Sequence, residues 1–181
     1  MHRRPLLARL ARYAPCDEAD RRGLERLTRF VKAHPDCFER SLRAGHVTAS
    51  AWVVHPVEDK VLLTHHRKLG IWVQLGGHCD GDPDTLGAAL REAREESGIE
   101  EIEPVSEAIF DLDVHPIPAR GNVPVHLHYD VRYALRAGRA DFRTSDESHA
   151  LAWVPLAELG RYTVERSMWR MRRKWDALAR A

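Results

Sequence analysis

Glu92, Glu95 and Glu96 are the residues of this sequence whose type and spacing could do chemistry. They fall in the segment Thr85 to Ser97, which reads as a helix stopped by Gly98. At about 100° per residue, with Glu92 at zero, Glu95 falls near −60° and Glu96 near +40°, so the carboxylates share one flank. Leu86, Ala89, Leu90 and Ala93 fall between about 60° and 160°, a separate apolar stripe suited to a sheet. Carboxylates this close repel one another on an isolated helix, and a bound divalent cation reverses the sign of that interaction. Mg²⁺ takes oxygen ligands, keeps several waters and can accept phosphate oxygens in its remaining positions. Arg91 lies four residues before Glu95 and can pair with it, fixing its rotamer. Upstream, Gly76-Gly77 permits a tight turn whose carbonyl could add a ligand. E-x-x-E-E on a helix, taken alone, is usually a solvated face. The full pattern, with Gly-Gly, a fixed spacer and then R-E-x-x-E-E-x-G before an aliphatic residue, is far rarer.

Other elements must position that helix. Residues 5–44 read as helical, with Leu24, Leu27 and Val31 at helical spacing, Asp17 as a cap and Pro35 as the end. A short helix is expected from Asp36 to Arg43, closed by Gly45. Val47 to His55 and Val61 to His65 look like a hairpin across PVEDK, and Ile71 to Leu75 a third strand ended by Gly76-Gly77. Ile109 to Val114 and Val125 to Leu135 read as longer strands joined by HPIPARGNVP, and Ala150 to Val154 as a short one. Thr163 to Leu178 is a basic helix containing Trp169 and Trp175. Strands interleaved with helices point to an α/β or α+β domain with a mixed sheet.

In 181 residues, 44% apolar and 30% charged, the chain reads as globular, and a net charge of +1 argues against nucleic-acid or membrane partners. Charge is unevenly distributed: residues 1–44 and 160–181 each carry a net +5, and 76–99 a net −4. Such a local acidic patch suggests a cation site. Cys16, Cys37 and Cys79 form no C-x-x-C pair, which fits a reducing, cytoplasmic setting. Arginines interrupt the apolar residues of the N-terminus, unlike a signal peptide, and no run approaches a membrane span.

The segment 76–99 resembles the Nudix box, G-x5-E-x7-R-E-U-x-E-E-x-G-U, of the MutT-like hydrolases. Gly77 matches the first glycine, and Arg91, Glu92, Glu95, Glu96, Gly98 and Ile99 match the second half in register. Ala93 replaces the bulky aliphatic. Pro83 stands where the family has a glutamate that supports the loop and helix start, and Asp84 could cap the helix instead. The resemblance implies an α/β/α sandwich over residues 45–160, with an N-terminal helical extension (1–44) and a C-terminal basic helix (161–181) packed on it. It also implies a pyrophosphohydrolase that cleaves a nucleoside diphosphate derivative by water attack at phosphorus. Gly77, Glu92, Glu95 and Glu96 would hold Mg²⁺ or Mn²⁺, with Arg91 in support and Glu95 or Glu147 as general base.

Substrate contacts are further expectations. His126, His128 and Asp130 alternate on one face of a strand, opposite Leu127, Tyr129 and Val131. The polar face could line a diphosphate pocket, face solvent, or hold zinc. Arg67, Lys68 and His78 flank the Gly-Gly pair and could meet phosphates, and Trp72 suits the core better than a stacked base. Two other readings stand beside hydrolysis of a soluble nucleotide: a non-catalytic nucleotide sensor on the same fold, and a hydrolase of RNA 5′ ends using the basic tail. The tail's cations also suit a helix C-terminus, and the N-terminal helices could form a homodimer surface.

Overall fold

The computed structural model describes residues 2–67, 70–144 and 148–180. Its centre is β1 (Gly45–Val54), buried along its whole length. β1 pairs in parallel with β7 (His126–Ala137) over ten residues, from Gly45↔Leu127 to Val54↔Arg136. Its other edge is shared. Val53 and Val54 pair antiparallel with Leu62 and Val61 of β2 (Lys60–His66), the expected hairpin. Thr48 to Ala51 pair antiparallel with β4 (Leu75–His78).

The expected third strand is divided at Gln74. β3 (Trp72–Val73) stays on β2, whereas β4 crosses to β1. Antiparallel strands complete the mixed sheet: β5 (Ile102–Pro104) and β6 (Asp111–Ile117) on β7, and β8 (Ser148–Pro155) on β2.

Strand alternation gives the sheet two different faces. Val47, Ala49, Ala51 and Val53 of β1, with Val131, Tyr133 and Leu135 of β7, form one apolar face. It is covered by α1 (Arg4–Arg12), α2 (Glu18–Ala33) and α3 (Thr85–Ser97), through residues such as Leu6, Leu27, Val31, Ala89 and Ala93. Asp17 caps α2 by accepting from the Asp20 N–H, as its position predicts. No helix forms over 36–43. The Cys37 carbonyl accepts from Val47 N–H at 2.7 Å and the Phe38 carbonyl from Gly81 N–H at 3.1 Å. Carbonyls committed to β1 and to the loop before α3 cannot also close helical turns.

The other face changes character along its length. At one end Trp52, Val54 and Ala134 pack on the 3₁₀ turn Leu156–Arg161 and on α4 (Arg166–Leu178), through Leu159, Met168, Met171 and Trp175. In the middle it is charged and buried. Asp111, fully buried, accepts from Arg170 Nε at 2.7 Å, Lys174 Nζ at 2.7 Å and Arg132 Nη1 at 3.2 Å. Arg132 also binds Asp130 at 2.7 Å, and Asp130 accepts from Ser50 at 2.8 Å and Thr48 at 3.0 Å. Burial alone would push the Asp113 carboxyl up. The Arg132 guanidinium overrides it and holds Asp113 below the usual carboxylate range. Lys174 reaches past the β6 edge to Asp20 of α2 at 2.7 Å, so α4 is fastened to the N-terminal helices as well as to the sheet.

This network revises the reading of the basic tail. Arg170 and Lys174 turn inward to carboxylates, and the last turn of α4 carries no basic residue for its dipole. It also revises the face of β7: Asp130 is 2% exposed and engaged by hydroxyls and Arg132, so that face is not a solvated one. No described helix is long and apolar enough to cross a membrane.

Removing one partner of a buried ionic cluster leaves the others without compensation, which costs about 3–5 kcal/mol. Asp111→Ala removes the carboxylate that Arg132, Arg170 and Lys174 share, leaving Arg132 to Asp130, Lys174 to Asp20, and Arg170 to the Leu112 carbonyl and Asp113. It should lower the unfolding free energy by about that amount in urea titrations. A loss below about 1 kcal/mol, the scale of an exposed pair, would mean that the remaining carboxylates compensate for Asp111.

Candidate active site

The acidic helix and the glycine strand meet at a seam. Gly76 and Gly77 do not form the expected tight turn; they lie inside β4, opposite Ser50 and Ala49. Close approach is what requires glycine here. A Cβ on Gly76 would meet Ser50 Oγ at 2.5 Å and the Ala49 carbonyl at 2.7 Å, and its φ of +150° is one that side chains rarely adopt. A Cβ on Gly77 would collide with the Glu92 carboxylate. The helix and strand can touch only because Gly77 carries no side chain, while the bare Gly76 lets β4 lie close against β1.

The carboxylates have distinct surroundings that follow from the wheel. Glu96 borders the apolar stripe and is buried at 8% exposure, accepting from the Gly76 N–H at 2.8 Å. Glu92 is half-buried against Gly77 and lies 3.4 Å from Arg91. Glu95, farthest from the stripe, is exposed. The expected Arg91–Glu95 pair does not form. Arg91 Nη2 donates instead to the His78 carbonyl at 3.0 Å, tying the helix to the end of β4. The carboxylates thus share a flank, with Glu92 and Glu96 anchored against the glycine backbone. Their oxygens do not converge on one point: among the described residues, the group whose donor atoms do so is His46, His78 and His128.

The loop from Cys79 to Asp84 has its own supports. Asp84 stands at the N-cap position of α3 without capping it; its N–H donates to Asp82 Oδ1 at 2.9 Å, and its carboxylate lies against Gly87. Arg40 clasps Asp80 with two hydrogen bonds, at 2.5 and 2.6 Å, and the Phe38 carbonyl takes the Gly81 N–H. Gly98 ends the helix in the left-handed conformation with φ +66°, as expected.

The remaining candidates are dispersed. Arg67 is exposed in the turn after β2, and Lys68 and Glu147 lie outside the described residues. Trp72 stacks on His65, with ring centroids 5.3 Å apart, and meets Tyr162 edge-on, against the second core cluster. His78, His126 and His128 do come together, on the Thr48 face of the sheet, whereas the Glu92 carboxylate lies under Gly77 on the Ala49 face. His46 and His115 join them, with His46 centroids 4.8 Å from His128 and 5.1 Å from His78. Sequence reading missed His46 and His115. The parallel register His46↔His128 and the antiparallel register His115↔His128 bring them in, and neither is visible in local spacing.

A model of the NUDIX domain matches residues 45–175. No curated protein matches the chain. Among solved structures, a C. elegans Ap4A hydrolase in a binary complex superposes with a TM-score of 0.60 at 19% identity, covering 74% of this chain and 96% of that one. A MutT protein from Methanosarcina mazei Go1 gives 0.57 at 19% identity, covering 76% and 96%. The NUDIX domain of Shewanella oneidensis NrtR, complexed with ADP ribose, gives 0.54 at 17% identity, covering 77% and 92%. At such identities the structures speak for the fold, a curled mixed sheet between helical layers. The family model spans most of the chain and includes the glycine strand, the acidic helix and α4 up to Trp175: the chain belongs to the NUDIX family of pyrophosphohydrolases.

Proposed function

We propose that this protein hydrolyses the diphosphate linkage of a small nucleoside diphosphate derivative, with Mg²⁺ or Mn²⁺ held by Glu92, Glu95, Glu96 and the carbonyl of Gly77. The observation that carries the proposal is the seam, where two carboxylates are fixed against the Gly76-Gly77 backbone and a third, Glu95, stands exposed beside them. These donors are all oxygens, the set that suits a hard divalent cation. When bound, such an ion neutralises phosphate oxygens and lowers the pKa of a water.

The protein's own residues supply position. Glu96 fixes the strand through the Gly76 N–H. Arg91 holds the His78 carbonyl and stands beside Glu92, so rotation of α3 against β4 is resisted at two points. Glu95, free to move, is proposed to take the proton of the attacking water, with Glu147 the other candidate. Arg67 and Lys68 are proposed to meet phosphate oxygens. The inward turn of Arg170 and Lys174 leaves α4 a poor track for an RNA backbone, which favours a small substrate.

A panel of nucleoside diphosphate derivatives with Mg²⁺, read as phosphate after phosphatase coupling, tests the proposal. Turnover should vanish with a chelator and return with Mg²⁺ or Mn²⁺. Glu95→Gln should lower it by about 10²-fold or more, the scale of a lost general base. Equal rates in wild type and Glu95→Gln would place the activity elsewhere. Tight nucleotide binding without turnover would instead favour a sensor.

Gly77→Ala isolates the seam. Its methyl group displaces the Glu92 carboxylate, and displacement of a catalytic group by about 1 Å can cost about 10²-fold in rate. The expected result is that loss, with a circular dichroism spectrum like that of the wild type. An unchanged rate would show that Glu92 need not lie against the strand.

A further inference from the structure

The histidine end of the sheet is not used by the proposed hydrolysis. His46 is 2% exposed, and both of its ring nitrogens are buried without a hydrogen-bond partner. His128 Nε2 is buried and unpartnered as well. Buried polar atoms are seldom left so, and a bound ion is one of the few arrangements that satisfies several at once. His46 stands on β1, His78 on β4 and His128 on β7, and one ring nitrogen of each lies within 4.8 Å of the others.

Other groups around these rings are already engaged. His115 Nδ1 meets Asp113 Oδ2 at 3.2 Å, and His126 Nδ1 meets the Pro124 carbonyl at 2.9 Å. Asp130 is taken by Thr48, Ser50 and Arg132.

We propose that His46, His78 and His128 form a zinc site, with a water in the fourth position. Neutral imidazoles select a borderline late transition metal over Mg²⁺, which prefers oxygen. Tetrahedral ligation at about 2.05 Å sets nitrogens about 3.3 Å apart, so the rings close inward by rotation about their side-chain bonds on binding. The site lies on the Thr48 face of the sheet, apart from the glutamate flank beneath Gly77. It ties β1, β4 and β7 together at the strand ends nearest the glycine pair, so zinc should stabilise the fold without serving as the ion of the acidic helix.

Tag-free protein, stripped with chelator, should retain one equivalent of zinc after gel filtration and unfold at a higher temperature with it. Co²⁺ in its place should give the visible absorption of a four-coordinate site. His78→Gln, at a half-buried position, and His128→Asn should each lose the equivalent and the absorption, whereas Glu92→Gln/Glu95→Gln should keep both. Wild-type protein that holds no zinc, or uptake that survives the histidine substitutions and disappears with the glutamates, overturns the site. If a histidine variant does not fold, the cobalt spectrum of the wild type and the stoichiometry of the glutamate variant still decide. Hydrolysis with Mg²⁺ is measured separately, so either proposal can fail without the other.

Discussion

The site depends on one close approach, that of the β4 backbone to α3. A buried glutamate accepts directly from the Gly76 N–H, and the missing side chain of Gly77 lets a second carboxylate lie against the strand. A strand and a helix normally keep their distance through the side chains between them, and here nothing intervenes. Everything proposed for the acidic flank follows from that contact: the height of the carboxylates relative to the Gly77 carbonyl, the reach of Arg91 to His78, and the freedom left to Glu95.

The sheet that carries the seam is asymmetric. One face is a conventional apolar surface under α1, α2 and α3. The other runs from hydrophobic, through buried ionic, to imidazole-lined within the length of β7. The ionic stretch is a poor source of net stability, because desolvation of its charges offsets most of their attraction. Its effect is geometric. Asp111 draws two side chains of α4 and one of β7 to a single point, which fixes the seating of the last helix on the sheet.

Much of this was legible in the sequence. The bounds of α3, its stop at Gly98 and the division of its surface into apolar stripe and acidic flank follow from spacing alone. The same wheel carries the different burial of Glu96 and Glu95, since one borders the stripe and the other points away from it. What spacing does not carry is register. The fate of Asp111 depends on Arg170, 59 residues away, and nothing local distinguishes that aspartate from a solvated one. The histidine group needs three strands in a particular alignment before it exists. The three residues of β5, ending in Pro104, are too few and too mixed to show a pattern. Residues 36–43 have helical composition, but the Cys37 and Phe38 carbonyls are claimed by Val47 and Gly81 elsewhere in the chain.

Those carbonyls have a wider consequence. The family match begins at residue 45, yet the loop between the glycines and α3 is splinted from upstream by Arg40 and Phe38. The Nudix box that residues 76–99 resemble has a glutamate where this chain has Pro83. Here Arg40 and the Phe38 carbonyl brace the loop from outside it, at Asp80 and Gly81. The N-terminal segment thus stiffens the lead-in to the acidic helix from beyond the reach of the family match.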